Sequence, residues 1–264
     1  MNFKSGDMFL GIFVIALLAL IIVPLPSPVL SIFFILNISV SAMILLSALF
    51  AKESLDLSLF PTMLLLTTIF RLGLNISSTR AILGEGDAGV VVHAFGEFVA
   101  GGDIVIGTII FVIITIVNFQ VITKGSERVA EVTARFTLDA MPGKQMAIDA
   151  DLNSGFIDEE MAKKRRKKIQ DEASFFGAMD GASKFVKNDA IISIIISFIN
   201  AIGGIIIGVV VKNMEISQAL SQYTILTIGD GLVSSLPSLL ISTATGILVT
   251  KTSQDEAMSE IIFK

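Results

Sequence analysis

Long apolar runs constrain this chain more than any other feature of its sequence. The 264 residues are 53% hydrophobic, and several runs reach about 18 residues, enough to cross a hydrocarbon core of roughly 30 Å. Inside such a core the backbone must satisfy its own hydrogen bonds, which an apolar run does by forming a helix. We therefore predict an all-α polytopic membrane protein with about six transmembrane helices.

The predicted spans lie in two membrane regions on either side of one polar block. Residues 1–123 form the first region, with four spans and an interfacial helix near residues 90–101. Residues 190–251 form the second region, with two spans, and residues 252–264 are predicted to be a cytoplasmic tail. The N-terminal run reaches spanning length without a small-residue cleavage site, so we predict a retained span and not a removed signal peptide.

Residues 124–189 are predicted to form a largely helical cytoplasmic domain between spans four and five. Twelve of the chain's 19 lysines and arginines lie in this block, and basic loops stay on the cytoplasmic side. With four spans before it, the N-terminus is then cytoplasmic too. We predict a first helix over residues 126–141, ended by Pro142–Gly143, and a second from Asp158 toward Phe176. The apolar stripe predicted for the first helix is Val129, Val132, Phe136 and Ala140.

Composition excludes several classes of site. The chain has no cysteine and a single histidine, His93, which rules out disulfides and thiolate metal sites and leaves little room for zinc or haem. The net charge of −5 argues against nucleic acid as a partner. No P-loop or nucleophile elbow is present. We predict no enzyme activity, no cofactor and no metal.

Two further motifs favour ordinary explanations. GEGDAG at residues 84–89 matches the dinucleotide-binding pattern, but no strand precedes it and its two acids would repel a phosphate, so we predict an external loop. The basic run at residues 163–168 resembles a nucleic-acid or nuclear-targeting patch. Beside a membrane, such a run is more simply a contact with anionic lipids and a topology anchor.

A third motif in the polar block has the spacing of a calcium loop. Its ligand positions are Asp149, Asp151, Asn153 and Glu160. The turn glycine that such a loop requires is replaced by Ser154. The alternative is a turn rich in Asx caps.

The third span carries a charge that an apolar core does not tolerate without partners. If this span is a helix through residue 83, Arg71, Asn75 and Ser78 share one stripe, and Arg71 should face a neighbouring helix or a wet cavity. Alternatively, the span is shorter, and Arg71 extends its side chain to the interface.

The last span contains Asp230 between two glycines, with Pro237 seven residues later. Proline and glycine interrupt helices. The span is therefore predicted either to break there or to begin near Leu232, which would place Asp230 at the mouth of the membrane.

Three charges stand immediately before the fifth span: Asp180, Lys184 and Asp189. Their spacing is i, i+4, i+9. Carboxylates at a membrane mouth that are held ionised by a nearby ammonium suit a proton-coupled device. An ordinary salt bridge at a helix end has the same spacing, so the residues alone leave both interpretations open.

The sequence resembles a known family over nearly its whole length. The likeness is carried by RVAEVTARFTLDAMPGKQMAIDAD, EEMAKKRRKKIQDEASFFGAMDGASKFVKNDA, TIGDGLVSSLPSLLISTATGILVT, FRLGLNISSTRAIL and NFQVITKG. These segments resemble the signature of the flagella/hypersensitive-response/invasion protein export pore family, the export gate of flagellar and virulence type III secretion systems. The flagellar branch is the closer likeness.

This resemblance implies a subunit of the bacterial inner-membrane export apparatus that couples proton flow to protein export. Family members assemble as a homo-oligomeric, nonameric ring with other membrane components of the apparatus. The residues to which the resemblance assigns proton coupling are Asp189, which is favoured, and Asp230, Asp180 and Lys184. The residues assigned to loop switching or interaction are Arg128, Arg135, Asp139 and Lys144.

The family continues with two more spans and a large cytoplasmic domain that binds exported proteins and chaperones. We therefore expect the chain to be truncated relative to the family, with such binding left to the further domain. Two other functions stay open from the residues alone. One is a secondary transporter, which should show an internal repeat and discontinuous helices, and the other is a structural scaffold of the secretion ring.

Overall fold

The computed structural model describes residues 5–251, and all regular structure in that range is helical. The all-α prediction is therefore confirmed, whereas the predicted tail at residues 252–264 lies outside the described residues. The α-helices are α1 (Ser5–Ile22), α2 (Ser27–Phe50), α3 (Phe60–Gly84), α4 (Val90–Ala100), α5 (Ile104–Gln120), α6 (Glu127–Asn153), α7 (Glu159–Ile206) and α8 (Ile216–Thr250). A 3₁₀-helix (Ser54–Leu57) follows α2, and π-helical segments follow α5 (Val121–Ser126) and α7 (Ile207–Val211).

Four of the described helices are long and apolar enough to cross a membrane. They are α2, α3, α8 and α7 with its π-helical extension. A fifth span exists if α4 and α5, which meet at 103° across a short break, form one bent segment. The chain is therefore a multi-pass membrane protein by helix length and composition, and the predicted count of six spans is not confirmed.

The corner between α4 and α5 is built by glycines. Gly101 and Gly102 have φ of 54° and 84°, values that side chains with a Cβ rarely adopt. The Asp103 carboxylate then accepts hydrogen bonds from two backbone N–H groups and caps α5. Before the corner, α4 packs closely on α8, because a Cβ added at Gly96 would lie 2.9 Å from the Ile225 side chain.

α7 is one continuous helix of 48 residues, about 70 Å long. Its predicted start is confirmed, because the Asp158 carboxylate accepts a hydrogen bond from the Met161 N–H at 2.7 Å. Its predicted end near Phe176 is wrong, since neither proline nor a turn sequence separates the loop helix from the following apolar run. The second half of the polar block and the fifth predicted span are thus one rigid element.

α6 also extends further than predicted. It runs through Pro142 and ends at Asn153, so the predicted end at Pro142–Gly143 is wrong. A proline inside a helix costs about 3 kcal/mol, but it removes only one backbone hydrogen bond. Packing against α7, which accounts for most helix stability in folded proteins, keeps α6 continuous.

The buried face of α6 differs from the predicted apolar stripe. Ala130 and Ala134 are buried, whereas Phe136 is 69% exposed and Ala140 is exposed as well. A second stripe of α6 carries the smaller side chains of Ala130 and Ala134. This stripe faces the protein because small side chains allow the backbone of α6 to approach neighbouring helices. The predicted stripe is therefore wrong at Phe136 and Ala140, whereas Val129 does pack against the buried core.

α8 is continuous from Ile216 to Thr250, with Pro237 inside it. Both predicted alternatives, a break at the glycines and a start near Leu232, are wrong. Asp230 lies in the body of the helix and is buried. Close packing keeps this region helical, as shown by Tyr223. Its ring lies 2.7 Å from the position of a Cβ added at Gly208, just after α7, and would also overlap a Cβ added at Gly204 of α7.

Candidate functional site

A column of buried polar side chains runs between α3, α7 and α8. We call it the polar column, and each helix contributes three residues three to seven positions apart. The residues are Arg71, Asn75 and Ser78 of α3, Asp189, Ser193 and Asn200 of α7, and Asp230, Ser234 and Ser238 of α8. All but the part-buried Ser193 are fully buried.

The first layer of the polar column contains a buried ion pair. Arg71 and Asp189 are each 1% exposed. One terminal nitrogen of Arg71 donates to Asp189 Oδ2 and the other donates to Ser238 Oγ. The prediction that α3 continues past Arg71 is confirmed, and the alternative in which Arg71 reaches the interface is wrong. A buried charge persists only with such a partner.

The second layer is neutral and centres on Asn75. Its Nδ2 donates to Ser193 Oγ at 3.1 Å, and Ser234 Oγ donates to its Oδ1 at 2.7 Å. The amide therefore bridges α7 and α8 through its two ends. These neutral groups continue the polar column between the Arg71–Asp189 ion pair and the Asp230 carboxyl group.

The third layer surrounds Asp230. Ser78 Oγ donates to Asp230 Oδ1 at 2.5 Å, and Asn200 Nδ2 donates to Oδ2 at 3.0 Å. No described lysine or arginine forms an ion pair with this carboxyl group. Asp230 is thus satisfied by neutral donors, while Asp189 is paired with a cation.

The polar column has hydrogen-bonding capacity to spare. Three of its buried polar atoms have no hydrogen-bond partner among the described residues: Oδ1 of Asp189, Nε of Arg71 and Oδ1 of Asn200. Buried polar atoms are normally satisfied. Two carboxyl groups and a chain of hydroxyl and amide groups, stacked across a span, can bind protons and pass them between hydrogen-bonded neighbours.

A cavity of about 40 Å³ adjoins the polar column. Its wall combines column residues with residues of α5. The polar lining residues are Asn75, Thr115, Asn118, Ser193, Ser197, Asp230, Ser234, Ser235 and Ser238. Next to the polar block, Ser126 and Ser242 share a hydrogen bond of 2.7 Å.

Asp180 and Lys184 lie apart from the polar column. Lys184 Nζ donates to Asp180 at 2.7 Å, and the lysine side chain is 53% exposed. This hydrogen bond raises the pKa of Lys184 above its ordinary value. The expectation that an ammonium on the same helix, Lys184, lies beside Asp189 is wrong. The two residues are five positions apart on α7, so their side chains lie on different faces of the helix. Asp189 instead contacts Arg71.

The predicted switch residues lie on the exposed surface of α6. Arg128 and Arg135 both contact Glu131, at 2.8 and 3.7 Å, and Asp139 is exposed. Arg135 therefore pairs with Glu131, which lies one helical turn before it on α6. Lys144 crosses to α7 and contacts Glu172 at 2.9 Å.

The calcium-like motif does not form a loop. Asp149 and Asp151 lie on helical turns of α6 and form ion pairs with Arg166 and Arg165, at 2.5 and 3.1 Å. No group of residues suited to a metal ion is present in the range 5–251. A calcium loop needs non-helical backbone at its ligand positions, but Asp149, Asp151 and Asn153 all lie within α6. The predicted calcium-loop geometry is therefore wrong. The basic run is thereby partly neutralised by acids of this chain.

Several residues of the site were missed from sequence. Ser193, Asn200, Ser234 and Ser238 drew no attention singly, because serine is common in membrane helices. The signal was their spacing within apolar runs, four or seven residues apart and on one helical face. Glu127 and Lys187 were also missed, and their 3.0 Å ion pair links α6 to α7 near the base of the column.

Comparison with known proteins identifies relatives over almost the whole chain. The FHIPEP family matches residues 17–264. "Flagellar biosynthesis protein FlhA" of Bacillus subtilis is 55% identical over 252 residues, covering 96% of this chain and 37% of the relative. The protein of the same name from Helicobacter pylori is 56% identical over 258 residues, covering 96% of this chain and 35% of the relative.

A third relative, "Flagellar biosynthesis protein FlhA" of Salmonella typhimurium, is 53% identical over 254 residues, covering 94% of this chain and 37% of the relative. No solved structure matches the chain. The chain thus spans a little over a third of the length of the curated relatives it matches. The predicted resemblance is confirmed: the chain belongs to the FHIPEP family.

Proposed function

We propose that this chain is a membrane part of the flagellar protein export apparatus, in the bacterial inner membrane, and that it couples proton flow to export. The observation that carries the proposal is the polar column, which places two buried carboxyl groups and one buried arginine in a stack across the spans. The names of the relatives, which are flagellar biosynthesis proteins, support the apparatus. Ionisable residues at membrane depth typically mark ion or proton pathways.

Asp189 is the group we propose to respond to the proton. When it is protonated, Arg71 loses the negative charge it contacts, and breaking such a buried pair costs about 3–5 kcal/mol. The column must then rearrange, and Asp189 belongs to α7, whose other end lies in the polar block. Because α7 is continuous, a small rotation near Asp189 moves the hairpin of α6 and α7. Asp230 is the second proton-binding group in this proposal.

The surface charges have supporting roles in this proposal. Asp180 and Lys184 lie nine and five residues before Asp189 on α7, where the Asp180 carboxylate receives protons from the cytoplasmic side and the Lys184 ammonium is its ion-pair partner. Neighbouring proteins bind to the exposed charges of the hairpin, which are Arg128, Arg135, Asp139 and Lys144. In this proposal the hairpin and the N-terminus lie in the cytoplasm. Lys163, Lys164 and Lys167 are exposed and suited to anionic lipids.

We also propose the assembly expected from the family. The chain forms a homo-oligomeric, nonameric ring with other membrane components of the apparatus. Exported proteins and chaperones bind to the part of the relatives' length that this chain does not span. The alternative of a secondary transporter loses one support, because the break suspected at Asp230 is absent from α8.

The test replaces Asp189 by asparagine in the chromosomal gene and measures proton flux and flagellar protein export. Both should fall, by roughly a hundredfold if the full cost of the broken ion pair is expressed. Asp149→Asn removes an aspartate that also pairs with an arginine but is exposed, and it should leave both near wild type. Unchanged flux and export in Asp189→Asn would sink the proposal.

A double variant separates coupling from scaffolding. Replacing the buried pair by apolar residues, as in Arg71→Met with Asp189→Leu, commonly preserves folding. If the chain is only a scaffold, this variant assembles and still supports export. If the pair carries the coupling, the variant assembles but export and proton flux are lost.

A further inference from the structure

α5 has two chemically different faces. The exposed face carries large apolar residues such as Ile113 and Val117, which are 55% and 52% exposed. The opposite face carries Thr115 and Asn118, which line the cavity beside the polar column. In an apolar membrane helix, polar residues that face the protein interior hydrogen-bond to polar groups of neighbouring helices.

Asn118 is the residue that stands out on this inner face. It is 7% exposed, and its Nδ2 is buried without a hydrogen-bond partner among the described residues. The cavity that it lines has a volume of about 40 Å³. A buried water needs about 10–15 Å³ measured in this way, together with two to four polar partners.

Polar partners are present across the cavity. Asp230, Ser193 and Ser234 line the same space. An aromatic side chain also lines this space: the Phe111 ring packs against α8, 2.6 Å from the position of a Cβ added at Gly231. Phe111 also lines a second, apolar cavity of about 430 Å³, so its ring lies between polar and apolar space.

We propose that the cavity between α5 and the polar column is a water-binding site and that Asn118 is the residue that positions the water. The water accepts from Asn118 Nδ2 and donates toward the hydroxyl and carboxyl groups of α7 and α8. It thereby connects the Asp230 layer with α5, the helix that leads into the polar block. Water binding stands by itself, whereas a role for this water in proton transfer rests on the proposed function.

Hydroxyl-radical footprinting by X-ray radiolysis tests the site, because radicals formed from a bound water oxidise the side chains beside it. In the full chain in lipid nanodiscs, Phe111 and Phe119, which line the cavity, should be oxidised. Asn118→Leu should lower this oxidation roughly tenfold by displacing the water. Asn118→Ser, which replaces the amide by a hydroxyl group that can still hydrogen-bond to a water, and Val117→Leu, on the exposed face, should retain it.

The outcomes distinguish the site from the proposed function. Absence of oxidation at Phe111 and Phe119 in the wild type, or equal oxidation in Asn118→Leu, overturns the water site. If Asn118→Leu does not fold, Thr115→Val replaces it as the variant that makes the cavity less polar, and unchanged oxidation there overturns the site as well. Unchanged proton flux in Asp189→Asn would overturn the proposed function while leaving the water result intact.

Discussion

At the scale of single residues, the environment of Asp230 depends on its two glycine neighbours. A Cβ added at Gly229 would lie 2.8 Å from the carbonyl carbon of Val92 in α4, and one at Gly231 would meet the Phe111 ring of α5. The glycines that suggested a broken helix therefore serve close packing on two sides. α8 stays helical while α4 and α5 approach its backbone.

Gly229→Ala should destabilise the membrane region. The added methyl group overlaps the Val92 carbonyl group, a backbone atom that cannot move without shifting α4, and overpacking of this kind costs about 1–3 kcal/mol. The measurement is thermal unfolding of the purified chain in detergent. Gly246→Ala is the matched control in the same helix, because nothing lies within 4 Å of its Cβ position.

The control should unfold at the wild-type temperature or slightly above it, since alanine is favoured over glycine in a helix by about 1 kcal/mol. A Gly229→Ala variant as stable as Gly246→Ala would show that α4 does not pack on α8 as described.

At the scale of elements, the hairpin of α6 and α7 shows how tertiary contacts override local signals. Pro142–Gly143 is the strongest helix-breaking pair in the polar block, yet both residues lie inside α6. Ion pairs to α7, such as Lys144 with Glu172 at 2.9 Å, hold α6 against α7 beside these two residues. Because proline removes a backbone hydrogen bond and glycine favours the unfolded chain, the hairpin should open first around residue 142.

Pro142→Ala should strengthen the middle of α6. Alanine restores a backbone N–H and is favoured over proline in a helix interior by roughly 3 kcal/mol. The readout is amide hydrogen exchange of residues near 142, whose protection should rise. Gly143→Ala, where nothing lies within 4 Å of the Cβ position, should raise protection less, by about 1 kcal/mol. Lower protection in Pro142→Ala would mean that the hairpin needs the irregularity that proline introduces.

At the scale of the whole molecule, distant parts of the chain close the bundle at one end. Lys251 Nζ donates to backbone carbonyl groups at the end of α2, among them Ala48 at 2.9 Å, and Ser54 Oγ donates to Leu248 O at 2.8 Å. These partners are about two hundred residues apart in sequence. The ammonium also complements the negative end of the α2 dipole.

Asp56 makes this closure sensitive to acid. The backbone N–H groups of Glu53 and Lys52 donate to its carboxylate, and they hold its pKa below the ordinary value of 3.8, helped by the Lys251 charge and opposed by burial. A lowered pKa contributes stability that is complete above the ordinary value and is lost as the pH falls through the folded-state value. The loss therefore lies below about pH 4.

Unfolding of the wild type and of Asp56→Asn between pH 3 and pH 7 checks this expectation (the range is set around the ordinary carboxyl pKa). The variant should be less stable than the wild type at neutral pH, and the difference should shrink as the pH falls below about 4. Asp103→Asn changes the cap at the start of α5, far from Asp56, and should leave the closure around Asp56 and Lys251 unaffected. A difference that stays constant over the whole pH range would contradict the assignment.

The sequence by itself determined the helical membrane class and the family. These follow from the length of apolar runs and from a long signature. The helical spacing of Arg71, Asn75 and Ser78 predicted a shared stripe but left open whether Arg71 lies inside or reaches the interface. Such quantities are properties of one segment at a time, and a segment's hydrophobicity and period do not depend on its partner.

Only the tertiary structure decided which groups meet. That Asp189 pairs with Arg71 and not with Lys184, and that Asp230 is held by Ser78 and Asn200, depends on how α3, α7 and α8 pack. The same packing decided that α6 and α8 continue through their prolines. The physical reason is that ion pairing and helix continuity at these positions are set by contacts between different helices, which no local pattern records. The partners are 28 residues apart for Lys144 and Glu172 and 118 apart for Arg71 and Asp189.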